Sequence, residues 1–478
     1  MAKRFNIKNK FLFAVVATAI ILRLASEPAA IISYLVIAVY ALSGRAQAIQ
    51  ALALSWLLTM INPGLAPEAP YAFVMRYVVL LAAAISVFLR SNFLLYFKLT
   101  NNMVRATLML GSFLIVLSYF FSPMIGVSVL KALSWTVSMS TLFAAWGGLS
   151  PESRDLLARL LFQGIIFVML ASLPLLLVPS LGYLRNGTGF QGILNHPQVF
   201  GLTMALLGAR AASHILAYKR PPWSNVVLVA ASVMLVFLSQ ARTAGMAMVL
   251  GVGVAIVIAP FLAKRPIRSM LPGLRSKRVH IILGLTLACF LIAGPTLNAI
   301  IRPYISKGTG VTHLIETYEN SRGILIEPMW YNIKDKPLQG IGFGIASVPA
   351  LMNIERDPVF ELPISASVEK GAMPLAVLEE LGIFGFLAVA AWLWILLRRS
   401  AHGGVGPLAV SITVLLMNMG EATLFSPGGM GLLILILLGW AAQSGNPKRQ
   451  ASGPSLRVIG FKRAPRAVSS LNYKSRVA

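Results

Sequence analysis

Long apolar runs alternate with short polar interruptions along most of this chain. A run of about 15 to 25 apolar residues is what a helix needs to cross a bilayer. Such runs fall near 11–25, 29–43, 47–62, 71–90, 105–122, 127–147, 157–180, 199–218, 223–239, 243–263, 279–301, 372–397, 405–421 and 427–443. The pattern predicts an all-α polytopic membrane protein with about fourteen transmembrane helices. One polar stretch, residues 302–371, breaks the rhythm. It holds eight of the chain's 15 acidic residues: Glu316, Glu319, Glu327, Asp335, Glu355, Asp357, Glu361 and Glu369. Its run Arg322–Gly344 is rich in aromatic and branched apolar residues, which disordered linkers lack. The expected organisation is an N-terminal bundle (1–301), a folded extramembrane loop (302–371), a C-terminal set of helices (372–443) and a tail (444–478).

Composition narrows the class. Mean hydropathy is +0.78, and 12% of residues are charged, against roughly 25% in soluble domains. The spans are too many for a signal peptide ahead of a soluble domain. Cys289 is the only cysteine, which excludes an intrachain disulfide and a thiolate zinc site. The net charge of +26 is spread over many loops. That is the positive-inside bias of a polytopic protein and not a nucleic-acid surface.

Loop charges give an orientation. With the basic N-terminus (Lys3, Arg4, Lys8, Lys10) in the cytoplasm, alternate loops carry Arg45; Arg90, Lys98 and Arg105; Arg154 and Arg159; Lys219 and Arg220; the basic run 264–278; and Arg398 and Arg399. The intervening loops 63–70, 123–126 and 422–426 have no Lys or Arg. An even number of spans returns the C-terminus to the cytoplasm. The tail agrees, with eight basic and no acidic residues, and is expected to be disordered near anionic lipid. Three features then fall on the outer face: the loop 302–371, the loop 181–197 and the turn 238–245.

Those features hold the candidate chemistry. Arg185, Arg242 and Arg322 all map outside, and a planar guanidinium matches phosphate oxygens bidentately. The alternative for each is pairing with a loop carboxylate or snorkelling to headgroups. Glu369 stands where the loop re-enters the membrane and is placed to accept a proton from a hydroxyl, or else to complement a helix N-terminus. Lys370 beside it would bring a cation to phosphate. Glu379 and Glu380 lie about two turns inside an apolar run, where ionisable groups face a cavity or a partner. Arg76, Lys131, Arg210 and Glu421 are further intramembrane charges and possible partners. His196 and His313 show no metal-ligand spacing, so no metal site is expected.

At these residues the chain resembles the O-antigen ligase and O-antigen polymerase superfamily of bacterial membrane proteins. The resemblance covers about Gly187 to Gly385. Phe190-Gln-Gly-Ile-Leu-Asn-His-Pro-Gln-Val-Phe-Gly201 is similar to the family's loop before a helix, with Gln198 where that family usually has Asn. Leu238-Ser-Gln-Ala-Arg-Thr-Ala-Gly245 resembles its Ser-Arg turn. Ser321-Arg322, Trp330 and Lys336-Pro-Leu-Gln-Gly-Ile-Gly342 resemble its Arg…Trp…Pro-Leu-x-Gly-x-Gly segment. Leu375 to Glu380-Leu-Gly-Ile-Phe-Gly385 resembles its Glu-x-Gly helix. One departure stands out: the ligases carry a histidine before that last helix, and this chain has Lys370-Gly371 there.

The resemblance implies a GT-C-like, metal-independent, inverting glycosyltransferase of the bacterial inner membrane that needs no cofactor. It would transfer or polymerise oligosaccharide from a polyprenyl-diphosphate carrier to a glycan acceptor at the periplasmic face, as an exopolysaccharide or O-antigen polymerase. Arg185, Arg242, Arg322 and Lys370 would bind the diphosphate. Glu369, or Glu380 after it, would serve the acceptor. Membrane lipid and other polysaccharide-assembly proteins are the implied partners. The alternatives are a ligase to lipid A-core and a polysaccharide transporter or export component.

Overall fold

The computed structural model describes residues 2–69, 71–91, 102–285, 288, 291–292, 294, 314–356, 363–366 and 370–445. Its helices are α1 (Ala2–Ala25), α2 (Glu27–Leu42), α3 (Arg45–Thr59), α4 (Ala72–Leu89), α5 (Asn102–Phe121), α6 (Ile125–Gly147), α7 (Pro151–Ser172), α8 (Pro197–Ala217), α9 (Trp223–Leu238) and α10 (Arg242–Ala263). They continue as α11 (277–285), α12 (Leu314–Asp335), α13 (Met373–His402), α14 (Val405–Met417) and α15 (Met430–Ser444). Among the described residues six stretches are long and apolar enough to cross a membrane: α5, α6, Pro151–Leu177, α8, α10 and α13. Six more apolar helices are shorter. A two-stranded antiparallel hairpin, Ile354–Arg356 with Pro363–Ala366, is an addition to the all-α expectation.

Among the described residues each apolar run from the sequence meets a helix, the run 279–301 being described continuously only as far as residue 285. The first helix begins at Ala2, well before the apolar run at residue 11. Two pairs of closely spaced runs resolve as separate helices for identifiable reasons. Ser26 caps α2 by accepting from the Ala29 amide, with Pro28 in the first turn. Gln240 takes the left-handed region (φ 58°) between α9 and α10. The segment 302–371 is more helical than a loop: α12 fills Leu314–Asp335. Cys289 and the tail beyond Gly445 lie outside the described residues.

Helices α14 and α15 are apolar on every side and buried along nearly their whole length. A helix that is hydrophobic all round belongs in the middle of a bundle. Close approach there depends on small residues. A Cβ on Gly251 of α10 would stand 2.2 Å from Thr413 Oγ1 of α14, and one on Gly111 of α5 would stand 2.1 Å from Thr136 Oγ1 of α6. Small residues at helix crossings are how helices pack where no hydrophobic effect drives them together. Trp135 and Trp392 meet edge-on at 5.5 Å. Their indole N–H groups donate to Leu424 O (3.2 Å) and Thr107 Oγ1 (2.9 Å). Arg210 lies between the rings of Phe162 (4.2 Å) and Trp440 (4.6 Å), so its charge meets aromatic faces.

The loops sort into two ends of the bundle. At one end arginines cap the carbonyls left open at helix C-termini. Arg45 donates to Gly148 O and Arg90 O, Arg90 to Leu42 O, and Arg154 to Leu149 O and Gln443 O. Every one of those groups lies in or beside a loop that the charge pattern assigns to the cytoplasm. At the other end the arginine-poor loops bind one another. Asn62 donates to Leu181 O and Gly192 O, and the Asn195 amide to Met60 O. The Phe190 amide reaches Leu238 O, and the Met373 amide reaches Asn418 O. All of these belong to predicted outer loops or to the helix ends beside them.

Candidate functional site

The outer-loop end contains two neighbouring constellations. The first is a buried ion-pair cluster where α13 breaks. Gly382 has φ 63° and ψ −170°, so the helix is interrupted within what reads in sequence as one apolar run. A break frees backbone groups, and these must find partners inside protein at membrane depth. The segment 337–342 supplies them. The Ile341 amide donates to Glu379 O (2.9 Å), the Gly342 amide to Glu380 O (3.0 Å), and the Ile383 amide to Pro337 O (2.9 Å). Glycines make this approach possible. A Cβ on Gly382 would stand 2.1 Å from Leu338 O, and Gly340 sits at φ 72° directly over the Glu380 carbonyl. The Pro-Leu-Gln-Gly-Ile-Gly and Glu-Glu-Leu-Gly motifs are thus two halves of one joint.

Charge holds the joint shut. Lys370 Nζ lies 2.7 Å from Glu379 Oε2 and 3.0 Å from Glu380 Oε1. Lys370 is 2% exposed, Glu379 0% and Glu380 9%. The remaining carboxylate lone pairs are also used. Asn332 Nδ2 donates to Glu379 Oε1 (2.7 Å), Ser347 Oγ donates to Glu379 Oε2 (3.1 Å), and the Gly344 amide donates to Glu380 Oε2. Asn332 also donates to Ser347 O (2.8 Å). Lys131 on α6 donates to Gly344 O (3.3 Å). One buried network therefore fastens the end of α12, the turn 340–347, the start of α13 and α6. A buried charge is tolerated only when paired and hydrogen-bonded, and here each is.

This placement changes two sequence expectations. Lys370, expected at phosphate, has its ammonium between two carboxylates and almost no exposure. Glu380, expected as a reserve acceptor base, has both oxygens in use. The partner of Glu379, sought in sequence among Arg76, Lys131, Arg210 and Glu421, is Lys370, with Asn332 and Ser347 beside it. Those three partners were missed because nine, 47 and 32 residues separate them from Glu379. The usable signal was the pair of glutamates at depth, which demanded a cation and polar neighbours.

The second constellation gathers the loop 185–197 against the turn 238–242. A Cβ on Gly189 would meet Pro197 and Ser239 O, and one on Gly201 would meet Ala241. Arg185 is exposed, beside an open groove of about 520 Å3 lined by Pro179, Ser180, Tyr183, Leu184 and Gly187. Arg242 is half-buried in the first turn of α10, right after the left-handed Gln240. A cation there opposes the helix dipole, so the position suits an anion shared by the guanidinium and the helix N-terminus. His196 caps α8, its Nδ1 accepting from the Gln198 amide (3.1 Å). Burial, and then the charge of Arg185, hold His196 below the usual imidazole range. Arg185 and His196 therefore share one corner.

Arg322 lies on α12 by sequence, but its side chain is outside the described residues, as are Glu369 and His313. Among the described residues no His, Cys, Asp or Glu cluster is arranged to hold a metal ion. Neither a protein-family model nor a characterised protein matches this chain.

Proposed function

We propose that this chain is an inner-membrane glycosyltransferase that takes oligosaccharide from a polyprenyl-diphosphate donor at the periplasmic face, most simply as a polysaccharide polymerase. In this reading the chain crosses the membrane about fourteen times, with both termini in the cytoplasm and 302–371 outside. The observation that supports it best is the packing of the loop that carries Arg185 against the turn just before Arg242, where the Phe190 amide donates to Leu238 O and a Cβ on Gly189 would meet Ser239 O. Cations at that depth suit the phosphates of a lipid-linked donor.

The reaction would proceed in one displacement. An acceptor hydroxyl oxygen bonds to the anomeric carbon as the bond from that carbon to the diphosphate oxygen breaks, inverting the configuration. The acceptor proton passes to Glu369, and negative charge grows on the departing diphosphate. Arg242 and Arg185, with Arg322 from α12, would offset that charge, a contribution that ranks among the largest in such reactions. Lys370, Glu379 and Glu380 would hold α12 and its turn in place and would not touch substrate, which favours orientation over direct chemistry for them.

A transporter is the rival from another class, and a broken helix is one of its marks. Here the carbonyls at the break, Glu379 O and Glu380 O, already accept from Ile341 and Gly342. They are not open for an ion, which favours the transferase.

Transfer from purified lipid-linked donor by the reconstituted chain tests the proposal. Arg242→Ala and Glu369→Gln should each lower turnover about a hundredfold or more, with Arg242→Lys recovering little. Parental rates in both Arg242→Ala and Glu369→Gln would remove these residues from the reaction. An inactive parent that moves lipid-linked donor across vesicles would replace the transferase reading with the transporter.

A further inference from the structure

A third cationic feature lies near the same end and belongs to neither constellation. Arg76 sits in the first turns of α4, inside an apolar helix. Its Nε is enclosed and has no hydrogen-bond partner. Among the described residues its only polar contact is Nη2 to Tyr77 Oη, at 3.5 Å the limit of a hydrogen bond. The guanidinium also lies 5.0 Å from the Tyr77 ring centroid. No carboxylate lies within 4.0 Å of Arg76 among the described residues. The other face of the guanidinium rests on the loop before α15: a Cβ on Gly428 would stand 2.3 Å from Nη1. The arginine is thus fixed by its surroundings, unlike a side chain free to snorkel.

A second arginine stands close by. Arg23 of α1 is 6% exposed and donates to Leu58 O (3.2 Å) and Pro67 O (2.8 Å). Tyr34, fully buried, has its Oη 2.9 Å from Thr59 Oγ1 and feels the charge of both arginines. Two guanidinium groups and two phenols therefore share this corner, formed by α1, α2, α4 and the loops 58–67 and 422–429. Neither arginine has a carboxylate partner among the described residues. An unpaired charge in an apolar span is costly, and such residues face a partner or a cavity. A half-enclosed guanidinium with unused donors lacks an acceptor, and its fork fits phosphate oxygens.

We infer that Arg76, backed by Arg23 and flanked by Tyr77 and Gly428, is a binding site for the phosphate of a lipid. The bound group is a phosphate at headgroup depth, carried either by a bulk phospholipid or by a polyprenyl diphosphate. The inference stands on the surroundings of Arg76 and does not depend on glycosyl transfer.

Native mass spectrometry of the full chain, stripped of lipid stepwise in detergent, tests it. Phosphatidylglycerol and polyprenyl diphosphate are the lipid probes, and inorganic pyrophosphate is the soluble competitor. The parent should keep one phosphate-bearing lipid that pyrophosphate displaces. Arg76→Gln should weaken retention about ten- to hundredfold, the loss of charge-assisted hydrogen bonds. Gly428→Ala, whose φ needs no glycine, should weaken it by displacing the guanidinium, and keeps the test open should Arg76→Gln fail to fold. Arg275→Gln, an exposed arginine of the basic run 264–278, should leave this retention unchanged. Preference for polyprenyl diphosphate over phosphatidylglycerol identifies the carrier as the source, and equal retention identifies a general headgroup. Retention of neither lipid by the parent, or equal retention by the parent and Gly428→Ala, would overturn the inference.

Discussion

Replacing Lys370 with methionine removes the cation from the buried joint and keeps its apolar stem. Glu379 would retain Asn332 and Ser347, and Glu380 the Gly344 amide, but both carboxylates would lose their counter-charge at 2.7 and 3.0 Å. With all three side chains nearly inaccessible, solvent screening is slight. Removing one partner of a buried pair costs about 3–5 kcal/mol. At about 1.4 kcal/mol per decade, the open form of the joint should become roughly a hundred to a few thousand times more populated. Amide hydrogen exchange reads this directly. The Ile341, Gly342 and Gly344 amides donate across the joint to Glu379 O, Glu380 O and Glu380 Oε2, so their exchange should accelerate by that factor. Amides of α15, in the middle of the bundle, should keep the parental rate. Ser347→Ala removes one neutral donor, worth about 1 kcal/mol, and should accelerate the same amides roughly fivefold. Exchange at residues 341–344 within threefold of the parent in Lys370→Met would refute the reasoning.

Three further outcomes are expected. Gly382→Ala should lower the thermal stability of the detergent-solubilised protein sharply, since a Cβ would stand 2.1 Å from Leu338 O at φ 63°; an unchanged melting temperature would mean α13 does not break there. His196 is held below its ordinary 6.5, so the unfolded chain binds the extra proton first. Its contribution should be complete above about pH 6.5 and shrink as pH falls from there towards the folded value. Melting temperatures from pH 7.5 to 5 should therefore fall less steeply in His196→Asn than in the parent. In a Cys289→Ala background, an impermeant thiol reagent applied to cells should label a cysteine at Leu351, which is 82% exposed, but not one at Ser452; the reverse pattern would invert the proposed orientation.

Much of the fold was legible because span length and loop charge are both local. The apolar runs located the helices, and the charge alternation sorted the loops into the two ends that the structure joins. The break at Gly382 was not legible: apolar residues continue through it, and the reason for it lies forty residues upstream in Pro337–Gly342. The placement of Lys370 between Glu379 and Glu380 was not legible for a related reason. A lysine at a loop end looks the same whether it meets phosphate or a buried glutamate, and only the folded path of α13 distinguishes the two. The helix α12 was hidden by its polarity, because hydropathy alone does not separate a solvated helix from a loop. The loop of Arg185 and the turn of Arg242, expected on one side from the loop charges, pack against each other through Phe190 and Leu238. Arg76 was visible as an intramembrane charge, but its lack of a carboxylate partner was not.

The closeness in sequence of Lys370 to Glu379 has a consequence for how the chain is made. Placing a lone glutamate or lysine in a nascent span costs about 2.5–3.5 kcal/mol at the helix centre during insertion. Most buried pairs join distant helices and must wait for the bundle to assemble before they neutralise each other. Here nine residues separate the partners, so cation and carboxylate emerge from the ribosome together and can enter the bilayer already matched. The segment 337–345 has by then been synthesised, ready to close over the break. Exchanging Lys370 for a cation on another helix would preserve the folded charge balance but remove this early neutralisation. Such a variant should insert α13 less efficiently, as measured by the fraction of chains spanning the membrane during translation, even where its mature form is stable.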